Sequence, residues 1–214
     1  MKTVKMSWLA QILVLLVVVM VAAGCSTVQQ SSSGGGASYF PHADGYTWRY
    51  AHTDGSTSTS TFEGTTLVGT ATPQVFKSAL TSVSGSTSTM EAYYRIDDTG
   101  VYQYPSLATT EMFTLLSFPF DVGDSWKYID LAILVADPDG TTSTLTYVAT
   151  ASVLAEEDVT VPAGTFSCYQ VKYFATVGSY EADPFYIWYS ENVGVVKQTT
   201  DATTIESELA WKSF

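Results

Sequence analysis

Histidine and cysteine are scarce in this chain of 214 residues, with two of each. A nucleophile–base pair or an imidazole metal site needs its groups within reach of one another. His42 precedes the first expected strand and His52 lies beside a hairpin tip. Both read as solvated surface residues, so no metal or other cofactor is expected. Basic residues are few as well: 9 Lys and Arg stand against 21 Asp and Glu, a net charge of −12. Such a field repels nucleic acid and anionic lipid headgroups, and no nucleic-acid partner is expected. Long, well-capped amphipathic helices are missing after residue 25. That removes helical bundles and α/β folds and leaves antiparallel β. The longest apolar run, residues 12–23, has 12 residues, well short of the ~20 that a membrane-spanning helix needs.

That run has the makings of a signal peptide. Lys2 and Lys5 form a basic start, the apolar stretch follows, and Val21-Ala-Ala-Gly-Cys25 closes it. Small residues directly before a cysteine resemble the lipobox of bacterial lipoproteins. The resemblance implies cleavage after residue 24 and acylation of Cys25, with Ser26 favouring the outer membrane in a host that has two membranes. Several acyl chains would anchor the protein firmly. The mature chain of 190 residues keeps 7 basic residues against 21 acidic, a charge of about −14. With Cys25 acylated, Cys168 has no disulfide partner, so stability must come from packing. Residues 25–39 are rich in Ser and Gly and read as a flexible tether. Residues 40–214 suit one domain with a real core.

Within that domain one pattern occurs twice. Phe40-Pro-His-Ala-Asp-Gly45-Tyr-Thr-Trp48-Arg-Tyr50 matches Phe118-Pro-Phe-Asp-Val-Gly123-Asp-Ser-Trp126-Lys-Tyr128 without a gap. Tyr94-Arg-Ile-Asp-Asp-Thr-Gly-Val101 and Trp188-Tyr-Ser-Glu-Asn-Val-Gly194-Val195 form a second pair. The domain therefore reads as two related halves, about 40–105 and 118–214. Each opens on a Gly turn and a Trp strand and ends on an acidic turn with Gly-Val.

Period-2 alternation carries the strand assignment. Tyr46, Trp48 and Tyr50 alternate with Thr47 and Arg49. Three Gly turns, Asp54-Gly55, Ser84-Gly85 and Asp139-Gly140, each feed a Ser/Thr-rich strand, where the β-branched Thr suits a solvated pleat. Leu145–Ala155 and Phe166–Thr176 read as long strands, the second led by the Pro162-Ala-Gly164-Thr165 turn. A hairpin is expected around Glu191-Asn192. Ile205, Ser207, Leu209 and Trp211 would share one face, and Trp126 with Tyr128 would oppose Lys127, Ile129 and Leu131. A short helical turn is expected over Phe76–Leu80. Leu107–Phe120 has Glu111, Met112, Leu115 and Leu116 at helical spacing and reads as the connection between the halves.

Candidate chemistry is sparse. Ser125 in Gly123-Asp-Ser125-Trp lacks the second glycine of a nucleophile elbow. Asp97-Asp98, Asp121 with Asp124, Asp137 with Asp139, and Glu156-Glu157-Asp158 are neighbours in sequence, whereas a glycosidase needs two acids across a cleft. Asp137-Pro-Asp139-Gly140 resembles the start of a calcium loop but lacks the later ligands. Cys168 alternates with Phe166 on a strand with apolar residues on both faces, the setting of a buried free thiol. Gly45, Trp48, Gly123, Trp126, Gly164, Phe166, Cys168, Trp188 and Gly194 read as structural motif residues, and no residue reads as catalytic.

The opening motif together with Val159-x-Val-Pro-Ala-Gly164-Thr-Phe166-x-Cys168-x-x-Val171 and Trp188-Tyr-x-x-x-Val-Gly194-x-Val-Lys197 resembles a group of poorly characterised bacterial envelope lipoproteins. The resemblance implies a curved, incompletely closed β-barrel of the LolA/LolB lipoprotein-localisation type or a lipocalin-like shape. It supplies no catalytic residues. The expected fold is all-β, one strongly curved antiparallel sheet or open barrel made of two related halves. The expected role is a non-catalytic envelope binding module for a hydrophobic small molecule or a partner protein, held to the membrane through Cys25. The alternatives are an envelope glycan hydrolase with a carboxylate pair, or a structural or adhesive surface lipoprotein.

Overall fold

A computed structural model describes residues 36–109, 111–136, 142–200 and 205–214. A single 3-10 turn, Gly36–Tyr39, leads into the strands. The first six are β1 (Thr47–His52), β2 (Thr57–Thr65), β3 (Gln74–Thr81), β4 (Thr87–Asp97), β5 (Gly100–Tyr104) and β6 (Phe113–Ser117). Then come β7 (Ser125–Ala136), β8 (Thr142–Val161), β9 (Gly164–Val177), the two-residue β10 (Tyr180–Glu181), β11 (Phe185–Ser190), β12 (Gly194–Thr199) and β13 (Ile205–Lys212).

All belong to one antiparallel sheet. Its order is β6-β5-β4-β3-β2-β1-β13-β12-β11-β9-β8-β7, with β10 as a short appendage on β9. Neighbours in sequence pair except at β6/β7 and at β10/β11, and the first and last strands meet in the β1–β13 ladder. The sheet thus curls nearly into a barrel whose open seam lies between β6 and β7. Side chains bridge that seam: Trp126 Nε1 donates to Thr114 O at 2.9 Å, and Tyr173 Oη to Leu115 O at 2.9 Å.

The Ser/Thr strands show how the sequence makes a barrel wall. In β2 the small Ser58 and Ser60 point inward and are buried, with Phe62 following them, while Thr57, Thr59 and Thr61 face outward. The up-and-down path puts Gly36–Tyr39, both F-P turns and the C-terminus at one end, called here the tether end. Asn192 N donates to Ser38 O at 2.7 Å there. Tyr39 packs on Phe120 at 5.1 Å, and Phe214 stacks on Tyr46 at 4.5 Å. The tips of the β1–β2, β3–β4 and β5–β6 connections lie at the opposite, far end.

The β8–β9 hairpin outruns its neighbours. β9 pairs with β11 only as far as Tyr169. Below a register shift between Val153 and Ala155, the hairpin crosses β11 and β12 on the outside. Its turn reaches β13, where Ala163 N donates to Leu209 O at 3.0 Å. Trp188 Nε1 donates to Glu157 Oε1 at 2.6 Å on the way. Val159, Val161 and Cys168 are buried by this overlap.

Five expectations change. Phe76–Leu80 is not a helical turn but the middle of β3, where Phe76 and Ser78 alternate inward against β2. Part of Leu107–Phe120 is β6; Leu115 and Leu116 are both buried because the β5–β6 register shifts between Val101 and Tyr102. A similar shift between Lys127 and Ile129 buries Tyr128 and Ile129 together, so they do not face opposite ways. Trp211 leaves the face of Leu209 after the shift at Arg49/Tyr50. It is exposed, with the Arg49 guanidinium 5.0 Å above its ring. The long strand expected over Leu145–Ala155 runs on to Val161, in the 20-residue β8. Asp137, Asp139 and the Gly140 turn lie outside the described residues.

Candidate functional site

The inner face of the barrel changes character along its axis. At the tether end it is aromatic. Phe62 meets Phe76 at 4.8 Å, Phe76 meets Tyr94 at 5.5 Å and Phe40 meets Tyr94 at 5.2 Å. A cavity of about 20 Å³ remains among Phe40, Trp48, Tyr50, Phe62, Phe76 and Val195, room for little more than one water.

A layer of tyrosines comes next. Tyr50 Oη donates to Val195 O at 2.7 Å, and the hydroxyls of Tyr173 and Tyr189 lie 3.0 Å apart. Burial pushes Tyr50, Tyr94, Tyr128, Tyr173 and Tyr189 all well above the usual phenol range. All five are neutral phenols at pH 7.

Toward the far end the inner face turns polar. Ladder register places Ser58 beside Tyr50, Ser60 beside Ser78, Gln103 beside Tyr94, and Ser207 beside both His52 and Gln198. These serines and glutamines are buried. Ser60 and Ser78 share a hydrogen bond through their hydroxyls. His52 Nε2 lies 2.8 Å from Ser58 Oγ, and Gln198 Nε2 donates to Glu206 Oε2 at 3.2 Å. Met90 and Ser88 continue this face on β4, yet Met90 is 42% exposed. The interior therefore opens to solvent beside β4. Apolar Val83, Leu107 and Tyr180 are exposed at the same end.

The histidines differ from their expected surface role. His42 Nδ1 contacts Phe40 O at 3.1 Å and its ring packs edge-on to Phe62. Burial lowers the pKa of both His42 and His52, so both are neutral imidazoles at pH 7. The His52–Ser58 contact has the spacing of a base and a nucleophile. Ser58 is the second residue of β2, however, with its backbone committed to ladders with Tyr50 and Leu80. The pair can donate or accept a hydrogen bond at the inner face.

The motif residues do not converge. Gly45 (φ 81°) and Gly123 (φ 100°) make the turns before β1 and β7. Trp48 and Trp126 fasten opposite sides of the ring. Gly164, Phe166 and Cys168 belong to the overlapping hairpin, and burial pushes the Cys168 thiol up to about 12. Trp188 lies beneath that hairpin, with Lys197 Nζ 5.2 Å from its ring centroid. Gly194 lets Trp48 approach closely: a Cβ there would lie 3.1 Å from Trp48 Cζ2. Two carboxylates serve turns. Asp54 accepts hydrogen bonds from Ser56 Oγ and N, which hold it below the usual range; Asp124 accepts from Asp121 N. Among the described residues, no group of three His, Cys, Asp or Glu could hold a metal ion.

Sequence reasoning missed the tyrosine layer and the Ser/His/Gln layer above it. A Tyr two residues after each motif Trp was a usable signal for the first. The second required the register.

The chain belongs to the DUF3108-like family, whose model matches residues 77–201. Two crystal structures are similar. One is a protein from Bacteroides fragilis described as exported and having a YmcC-like fold; it is 17% identical, with a TM-score of 0.48, over 82% of this chain and 98% of the other. The other, from Parabacteroides distasonis and described as a lipoprotein, is 20% identical, with a TM-score of 0.48 and the same coverage of both chains. No curated protein matches the sequence.

Proposed function

We propose that this protein is a non-catalytic binding module of the bacterial cell envelope, anchored through acylated Cys25, with its binding site in the far end of the barrel. The observation that carries this reading is the switch of the inner face from aromatic to Ser, His and Gln, beside the opening at Met90. Of the two occupants open from sequence, a hydrophobic small molecule fits poorly. The aromatic half is already filled by its own side chains, and the half that opens is polar. A neutral, hydrogen-bonding occupant fits better, either a hydroxyl-rich small molecule or a polar segment of a partner protein. Burial keeps His52 neutral, and the mature chain's 7 basic against 21 acidic residues disfavour an anionic ligand. Cys25 lies 11 residues before Gly36, so the tether end would face the bilayer and the mouth would face away from it.

Native mass spectrometry of the mature acylated protein, released gently from envelope membranes, tests this. A reproducible added mass or a co-released protein is expected. Met90→Trp fills the mouth from a half-exposed position and should abolish the adduct while leaving the melting temperature near that of the parent. A bare spectrum for the parent protein, or an adduct indifferent to Met90→Trp, would sink the reading.

A further inference from the structure

Glu206 differs from the serines, His52 and Gln198 of the polar far end because it carries a charge. The β12–β13 register shifts between Gln198 and Thr199, and Glu206 lies at that shift, one residue before the buried Ser207. Its carboxylate accepts a hydrogen bond from Gln198 Nε2 at 3.2 Å, and Gln198 is 2% exposed. Its backbone oxygen accepts from Thr53 N at 3.3 Å, next to the His52–Ser207 pair. The half-buried carboxylate is thus held against a buried amide, within the Ser/His/Gln layer. Burial raises its pKa and the bond from Gln198 lowers it. Asp54, at the β1–β2 tip, is exposed and already bonded by Ser56.

A carboxylate withdrawn from water is normally paired with a cation. This chain has none to offer. Without Lys2 and Lys5 it has 7 Lys and Arg. Three are in ion pairs with other carboxylates, and the other four lie over aromatic rings. Lys197, on the neighbouring β12, stands opposite Glu208 and lies over Trp188. His52 is kept neutral by burial. The missing countercharge has to arrive from outside.

We propose that Glu206 is the specificity-determining residue of the binding site, and that an otherwise neutral, hydrogen-bonding occupant presents one amino or guanidino group to its carboxylate. The inference rests on the binding role proposed above and adds the charge of the group that enters. The excess of acidic residues draws a cation toward the protein. Beside a half-buried carboxylate the resulting pair is stronger than one at an exposed surface.

The test is an NMR titration of the ¹⁵N-labelled mature chain carrying Cys25→Ser. Glucosamine is compared with glucose, and acetyl-Ser-Lys-Ser-amide with acetyl-Ser-Gln-Ser-amide. The first pair stands for a hydroxyl-rich small molecule and the second for a polar protein segment, so the pair that responds identifies the source of the amine. The amine-bearing member of at least one pair should shift the amides of Thr53 and Ser207 and bind roughly tenfold more tightly than its neutral partner. Glu206→Gln should erase that preference, whereas Glu208→Gln, opposite Lys197, should keep it. Without ligand, Glu206→Gln should melt no lower than the parent at pH 7, because it removes a charge that burial disfavours. Equal binding of charged and neutral probes, no binding by either amine, or a preference that survives Glu206→Gln would overturn the inference. So would a clearly lower melting temperature for Glu206→Gln, the sign of a carboxylate already compensated. None of these results touches the binding role itself, which the adduct and its response to Met90→Trp decide.

Discussion

The two copies of the opening motif form the same turn and then meet different surroundings. Gly45 N donates to Phe62 O and Gly123 N to Val153 O, both at 2.9 Å and both to the second strand of their own half. Tyr46 N to Ala43 O repeats as Asp124 N to Asp121 O. Phe40 and Phe118 are both buried. Beyond the turn the copies diverge. Trp48 is buried, and its Nε1 donates to Val193 O at 2.5 Å, beside a continuous ladder. Trp126 is only partly buried, and its Nε1 spans the open seam to Thr114 O. A short motif can fix a turn through local hydrogen bonds and one left-handed glycine. It cannot fix which strand arrives alongside.

That contrast can be broken at three places. The largest effect belongs to the tryptophans. Trp48→Ala should cost about 3–5 kcal/mol, as large aromatic truncations in cores do. Trp126→Ala removes a ring that is only partly buried and should cost less. Urea denaturation of both variants measures the difference, and equal losses would mean that the seam is as tightly packed as the ladder junction.

Next come the glycines. Gly123→Ala meets no atom within 4 Å, so it should cost only the left-handed backbone, about 1–2 kcal/mol. Gly194→Ala has the same backbone problem at φ 86° and also drives a Cβ to 3.1 Å from Trp48. It should be the more destabilising of the two by thermal melting. The reverse order would show that Trp48 can shift freely.

The smallest effect concerns His42, whose place in the second copy is taken by Phe120. Burial lowers the His42 pKa. In the window from its unfolded value near 6.5 down to the lowered folded value, the unfolded chain binds more protons, so stability falls as pH falls. His52 adds to that slope, and Glu206, raised by burial, opposes it as pH rises above 4.5. His42→Phe should therefore flatten the loss of stability between pH 7 and pH 5 without removing it. An unchanged slope in pH-dependent melts would place the proton elsewhere.

Much of the wall was legible because strand signals are local. The Ser/Thr units after Asp54-Gly55 and Ser84-Gly85 became β2 and β4. The four tryptophans after Cys25 all lie on strands. The failures share a cause. Phe76–Leu80 and Glu111–Leu116 carry helix-compatible spacing that tertiary pairing overrode. Tyr128 with Ile129, Leu115 with Leu116, and Trp211 depend on register shifts, where one extra residue turns a side chain to the other face. The candidate site was invisible for a related reason. Ser58, Ser60 and Ser78 look like solvated pleat residues, and only the ladder puts them inside.

The sequence by itself determined the strands, the Gly turns, the duplicated motif and the absence of any helical core, because each depends on residues close together in the chain. The tertiary structure decided which junction zips and which stays a seam. It decided that the β8–β9 hairpin folds over Trp188 and buries its own Cys168, and that the inner face is aromatic at one end and polar at the other. Those outcomes depend on register between strands far apart in sequence, which no local pattern of hydrophobicity encodes.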